Sequence, residues 1–285
     1  MKTGLRNIWQ ASKGIVITAI LTILIVAGLR IFLFASFSVS TPSMQPTVIP
    51  GDHILVNKLV PGPRMDWLFG SSGAGDNRSY RLKGYKPAAR GDVLVFNAPY
   101  YDSNRIAKNL GVHYVKRCIG IPGDTLYIND SAYELKTAKG TVKMPLLGYD
   151  PVADSWMETY TPEMFKSLDW TLTDFGPAYI PRAGDDIALD SVNIPLYRSL
   201  IEYETDGAVV CAYSECYLDD KLYTHHLFKQ GYFFVAGDLA MNSEDSRFWG
   251  LLPADHIVGK AVYIWRSVDP NTKKHRLDRF LKALD

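Results

Sequence analysis

The pattern of apolar and polar positions changes character along the chain. Gly14 to Leu29 carries no charge and is mostly Ile, Leu, Val and Ala; Arg30 interrupts the run and Ile31-Phe32-Leu33-Phe34 resumes it. A helix that crosses a bilayer needs about 20 apolar residues. Residues 14–34 reach that length when Arg30 lies near one end and extends its charge to the headgroups. Lys2, Arg6 and Lys13 precede the run. Positive residues stay on the cytoplasmic side, so residues 1–13 are predicted to be cytoplasmic and the remainder exported. A cleaved secretory signal ends in a small-x-small site, which Phe34-Ala35-Ser36-Phe37 matches poorly. A buried core helix leaves the basic flank without a reason. An uncleaved single-pass anchor in the cell membrane is the expectation.

Beyond the anchor the pattern becomes that of strands. His53 to Leu59, Asp92 to Phe96, His113 to Ile119, Thr125 to Ile128, Tyr232 to Val235 and Ile257 to Trp265 are short, apolar and rich in β-branched residues. Gly-Asp pairs at 51–52, 91–92, 123–124, 184–185 and 237–238 punctuate them with turn residues. The expected fold class is mainly β, with antiparallel sheets rather than alternating βαβ units. Two antiparallel β-sheet domains are predicted. One runs over 35–128 and 231–266; the other, more polar and richer in aromatics and prolines, is inserted at 129–230. Residues 61–87 read as a long surface insertion, with Ser71 to Gly75 its most mobile part. In the tail, 267–285, Leu277 to Leu284 suits a short amphipathic helix with Arg276, Arg279 and Lys282 on its polar side, or a frayed basic end.

Composition narrows the function. The 31 Lys and Arg against 30 Asp and Glu leave a net charge of +1 over 285 residues, which gives no electrostatic footprint for nucleic acid. Cys211 and Cys216 are close enough to close a small disulfide loop in an exported domain, and two free thiols fit the spacing equally well; Cys118 is left over. No Cys/His pattern for zinc is present.

Three clusters carry chemistry. Ser43-Met44-Gln45-Pro46-Thr47 follows the anchor; Tyr114-Val115-Lys116-Arg117 leads into Ile119-Gly120-Ile121-Pro122-Gly123-Asp124; Gly237-Asp238 precedes Asn242-Ser243-Glu244-Asp245-Ser246-Arg247-Phe248-Trp249-Gly250. A serine is a poor nucleophile until a base takes its proton, and no Gly-x-Ser-x-Gly elbow sets a serine beside a histidine. A lysine can be that base if burial keeps it neutral. Strand alternation puts Lys116 on one face, pointing inwards, and Val115 and Arg117 on the other, with Arg117 pointing out. Taken one at a time, Lys116 also fits a strand lysine reaching water, Ser43 a simple loop, and Asp245 with Arg247 an ordinary ion pair.

The combination resembles the type I signal peptidases. Their Ser-Met-x-Pro-Thr segment after a transmembrane helix is matched at 43–47. A Gly-Asp strand start follows at 51–52, then Arg-Gly-Asp and an apolar strand at 90–96. Lys-Arg-x-x-Gly-x-Pro-Gly-Asp is matched at 116–124, and the Gly-Asp to Trp-Gly segment at 237–250. Five motifs in family order leave little room for chance.

The resemblance implies a membrane-bound serine endopeptidase that removes signal peptides from exported preproteins at small-x-small sites. Ser43 is the implied nucleophile and Lys116 the general base. Ser243 would orient the lysine, and Thr41 with the Ser43 N–H would stabilise the oxyanion. Asp245 and Arg247 would form a supporting ion pair. Phe37, Val39, Tyr114 and Val115 would line shallow pockets for small side chains. The implied partners are preproteins and the lipid bilayer, with no nucleic acid, no cofactor and no metal, and a monomer is expected. Pro42, where Gly or Asp is common, and Leu239-Ala240-Met241, in place of Asn-Arg-Asp, depart from the family pattern. Phe34 to Ser43 is nine residues, at most ~30 Å of chain, which keeps the nucleophile near the outer membrane surface. A soluble Ser/Lys self-cleaving protease with a DNA-binding domain fits neither the apolar run nor the charge balance. A tethered β-domain that binds without cutting is opposed by the presence of Ser43, Lys116 and Ser243 together.

Overall fold

The computed structural model describes residues 2–65, 80–102, 105–129, 132–212 and 215–284, so Ser71 to Gly75 lie outside the described residues. The N-terminal run forms a helix, Lys2–Gly28, that continues through a π-helical turn, Leu29–Leu33. Over 13–28 no side chain is buried, and Ile15, Leu21, Leu24 and Ile25 are among those exposed. Among the described residues no helix is long and apolar enough to cross a membrane. The stretch 13–28 alone rises about 24 Å, short of the ~30 Å of a bilayer's hydrocarbon core.

The rest of the chain is mainly β. In chain order come β1 (Phe34–Ser38), β2 (Asp52–Asn57), β3 (Val93–Asp102) and β4 (Arg105–Gly120). Next are β5 (Thr125–Asn129), β6 (Ala132–Thr137), β7 (Gly140–Pro145) and β8 (Phe175–Tyr179). Short strands β9 (Asp186–Ala188), β10 (Val209–Ala212), β11 (Glu215–Leu218), β12 (Lys221–Leu222) and β13 (His225–Leu227) follow. The chain closes with β14 (Tyr232–Ala236), β15 (Leu252–Pro253), β16 (Ile257–Ser267) and β17 (Lys282–Ala283). The largest sheet runs β1-β2-β16-β3-β4-β14-β15, with β17 on β16. Its pairings are antiparallel. This sheet coils on itself: the Phe37 ring of β1 lies 4.7 Å from that of His113 on β4, although β2, β16 and β3 intervene.

A second sheet, β7-β6-β5-β8, begins at Thr125. It shares one apolar core with the first, because Phe234 of β14 packs against Tyr133 and Phe175 at ring distances of 6.2 and 5.7 Å.

Four of the Gly-Asp pairs build one repeated device. In each, the Asp N–H donates to the carbonyl three residues back and the Asp carboxylate accepts that residue's N–H, at Ile49/Asp52, Ala89/Asp92, Ile121/Asp124 and Arg182/Asp185. The turn needs φ near +90° at its third residue, met by Gly51 at 93° and likewise by Gly91, Gly123 and Gly184. Each of these carboxylates also pairs with a cation: Arg279 on Asp52, Lys260 on Asp92, Arg90 on Asp124 and, within its own turn, Arg182 on Asp185.

Two sequence expectations change and one open alternative closes. The tail is neither a helix nor frayed. It makes a short turn, Leu277–Arg279, and then pairs as β17, because Arg279 is drawn inwards onto Asp52 and Leu284 is buried. The inserted region, read as all β, contains a helix, Ile194–Thr205, that buries Leu196, Tyr197, Leu200 and Ile201. Cys211 and Cys216 sit directly opposite each other on β10 and β11 and are disulfide-bonded.

Candidate active site

Ser43 sits in the loop between β1 and β2. The loop is pinned at its base by Val39 N–H to the Asp52 carbonyl, 2.9 Å, and by Gly51 N–H to the Val39 carbonyl, 2.8 Å. Turns from Pro42 to Gln45 and from Met44 to Val48 shape the segment, and Met44 and Val48 are buried beneath it. Pro42 therefore serves as a turn opener through its carbonyl and needs no N–H there.

Lys116 comes from β4, across from Leu94 of β3. Its Nζ lies 2.8 Å from Ser43 Oγ, and the two residues are only 5% and 7% exposed. Burial pushes the Lys116 ammonium below the ordinary lysine range and Arg247 adds to the shift, while Asp245 opposes it. Burial disfavours the charged form because water no longer solvates it. When protonated, Nζ donates to Oγ; when neutral, its lone pair accepts the hydroxyl proton. The Ser43 backbone N–H donates to no group among the described residues, and Thr41 is exposed beside it.

The third cluster forms the floor. Asp245 and Arg247 are both 0% exposed and paired through two contacts of 2.9 Å, Nε to Oδ1 and Nη2 to Oδ2. Burial pushes the Asp245 carboxyl up, but Arg247, Lys116 and the Gly237 N–H more than offset it and hold it below the ordinary range. The Ser243 hydroxyl donates to Asp245 Oδ2 at 2.7 Å. No hydrogen bond joins it to Lys116 among the described residues, so the expected lysine-orienting contact is replaced by one that fixes the carboxylate next to the lysine. Gly237 allows the close approach: a Cβ there would lie 2.3 Å from Ser243 Oγ and 2.5 Å from the Ser43 carbonyl oxygen. The Leu239-Ala240-Met241 departure is accommodated by backbone. Leu239 N–H donates to the Ser43 carbonyl at 3.0 Å, and the Ala240 carbonyl accepts Arg247 Nη2 at 2.9 Å.

The apolar residues separate. Phe37, Val39 and Val115 share one cluster with Met44. Tyr114, on the opposite face of β4, belongs to another with Phe96 and Trp249.

A triad that sequence reading did not single out ties all three clusters together. Arg117 donates to both carboxylate oxygens of Asp238 at 2.7 Å, Thr47 Oγ1 donates to Asp238 Oδ2, and Arg117 also reaches Thr47 and the Gly91 carbonyl. Alternation has Arg117 pointing out, but the side chain is 13% exposed and paired rather than reaching solvent. All three residues lie inside the quoted motifs; what was missing was a reason to join them.

A mainly antiparallel β-protein with a buried serine–lysine pair matches the signal peptidase S26 family, described as "Signal peptidase, peptidase S26", over residues 12–266. The chain belongs to that family, and is a peptidase of the signal peptidase class. It is 30% identical to signal peptidase I of Haemophilus influenzae, covering 90% of this chain and 71% of that one. It is 28% identical to signal peptidase I of Aquifex aeolicus, covering 88% and 83%. Among solved structures it is similar to a signal peptidase I from Enterococcus faecalis, 19% identical, with a TM-score of 0.28, covering 61% of this chain and 97% of that one.

Proposed function

We propose that the protein is a membrane-bound serine endopeptidase that removes N-terminal signal peptides from exported preproteins at small-x-small sites. Ser43 Oγ attacks the scissile carbonyl while Lys116 takes its proton and passes it to the leaving amine. The observation that carries this reading is the 2.8 Å contact between Lys116 Nζ and Ser43 Oγ in a setting that lowers the lysine pKa. The Ser43 N–H, which donates to no group among the described residues, stabilises the developing oxyanion together with Thr41; one such donor typically contributes roughly 3–4 kcal/mol. Asp245 and Arg247 act as structural support, and Phe37, Val39 and Val115 receive the small side chains.

The anchor belongs to the same proposal. The helix and its π-helical extension make residues 14–33 a continuous helical run, roughly 30 Å long. Apart from Arg30 its described side chains are uncharged and mostly apolar, and they are left exposed, a surface that lipid covers better than water. Residues 1–13 stay cytoplasmic and the β-domains lie on the outer face.

The test is cleavage of a preprotein carrying an Ala-x-Ala site, in detergent, by wild type and Ser43→Ala. Cleavage after the second Ala by wild type alone supports the reading. Equal cleavage by the variant removes Ser43 from the mechanism, and no cleavage by folded wild type removes the activity.

A further inference from the structure

Val39, Val115 and Met44 share one apolar cluster. Met44 follows Ser43 and Val115 precedes Lys116, so this cluster adjoins both reacting residues. Two residues back along each stretch stand Phe37 and His113, whose rings are 4.7 Å apart. Phe37 is half-buried and His113 exposed, which leaves the ring pair open to a further side chain. An extended chain repeats its side-chain direction every second residue, roughly 6.6 Å. A substrate whose last signal-peptide side chain rests on Val39 and Val115 therefore sets the third before the cut on Phe37 and His113.

His113 gives that position a polar group. Its partner across the ladder is Asn97, which is fully buried. Asn97 Oδ1 accepts from Arg64 Nη2 at 2.6 Å, and Nδ2 donates to the Asn109 carbonyl at 2.8 Å. Those two contacts fix the amide, so its nitrogen is the atom that lies 3.5 Å from His113 Nε2. A ring that faces a donor does so with its unprotonated nitrogen. Burial, with the Arg64 and Lys58 cations, lowers the His113 pKa and favours that neutral ring. The proton is then on Nδ1, which meets no acceptor among the described residues. We infer that His113 selects the third residue before the cut: its Nδ1–H favours a short side chain carrying a hydrogen-bond acceptor, such as Ser, Thr, Asn or Asp, over an apolar one of equal size. The inference rests on the proposed roles of Ser43 and Lys116.

The test uses the full chain in detergent and a preprotein with an Ala-x-Ala site. Thr against Val, and Asn against Leu, replace the third residue before the cut. Thr against Val also replaces the second, whose side chain points the opposite way in an extended chain. Wild type should prefer Thr over Val and Asn over Leu at the third position by roughly 5-fold in kcat/KM, the scale of one net hydrogen bond. His113→Phe, which keeps a ring on Phe37, should bring both ratios to one or below and leave the second-position ratio unaltered. His113→Gln, which keeps a donor, should retain the preference. Four outcomes overturn the His113 assignment and leave the protease intact: wild-type ratios of one or below, ratios that His113→Phe leaves unchanged, a second-position ratio that moves as far as the third, or a Gln variant no more selective than the Phe variant. Failure of folded wild type to cleave the Ala-x-Ala parent overturns the underlying reading instead.

Discussion

Lys116 can act as a base only if it is neutral, and its surroundings pull in both directions. Burial and Arg247 lower its pKa from 10.5 and Asp245 raises it, with burial dominant. The sign for activity follows: kcat/KM should rise with pH as Nζ loses its proton, with the midpoint below 10.5. A pH–rate profile checks this, and a rising limb at or above the ordinary lysine value would remove Lys116 as the base. Lys116→Arg should abolish turnover, by about 10²–10⁴-fold at least, since a guanidinium does not deprotonate; near-normal kcat in that variant would have the same consequence.

Arg247 illustrates a different energetics. Removing one partner of a buried pair strands the other charge, typically at about 3–5 kcal/mol. Arg247→Met should therefore lower Tm by roughly 6–20 °C and reduce activity through the displaced Asp245. A calorimetric scan that matches wild type would mean the pair is dispensable. Ser43, Lys116, Asp245 and Arg247 were legible in the sequence because each falls inside a compact motif. The Arg117–Asp238 pair was not, because its members are 121 positions apart. Alternation fixes the face a side chain takes but not what another strand delivers to that face.

At the level of elements, strands were legible wherever β-branched runs met Gly-Asp turns, and the helix inside the inserted region was not. The helix Ile194–Thr205 starts where Asp190 and Asn193 side chains satisfy N–H groups before it, with Pro195 in its first turn. Its apolar spacing of three and four residues was obscured by the surrounding aromatics. The tail misled because Arg279 reads as a surface residue until Asp52 is brought to it by the first hairpin turn. Gly237 is the element-level constraint most open to test. It ends β14 where that strand meets both Ser43 and Ser243. Contacts of 2.3–2.5 Å to a new Cβ cannot be tolerated without movement. Gly237→Ala should lower kcat at least 10-fold, a displacement effect on reacting groups, while KM and far-UV circular dichroism change little. Unaltered kcat would mean that the nucleophile loop can shift without consequence.

At the scale of the whole molecule, the two largest sheets share one core and are joined to a helix that, over its described side chains, contributes nothing to that core. Phe234, Tyr133 and Phe175 join the inserted region to the main sheet, so the two should unfold together. The helix is the opposite case, with no buried side chain over 13–28. Its connection to the β-structure is made at its end, where Lys58 N–H and Nζ reach the Leu33 and Arg30 carbonyls, both at 2.9 Å. Stability of the β-structure and attachment to the bilayer are thus separable. Deleting residues 1–33 should leave Tm within about 2 °C of the full chain, because surface changes away from the core are usually small. It should leave cleavage of short soluble peptides largely intact and abolish flotation with lipid vesicles. Preproteins held in a bilayer by their own signal helix should then be cut more slowly, since enzyme and site no longer share one surface and lose the effective concentration that tethering supplies. If the shortened chain still floats with vesicles and cuts such substrates at the full rate, the β-domains carry their own membrane contact and the helix is not what sets the height of Ser43.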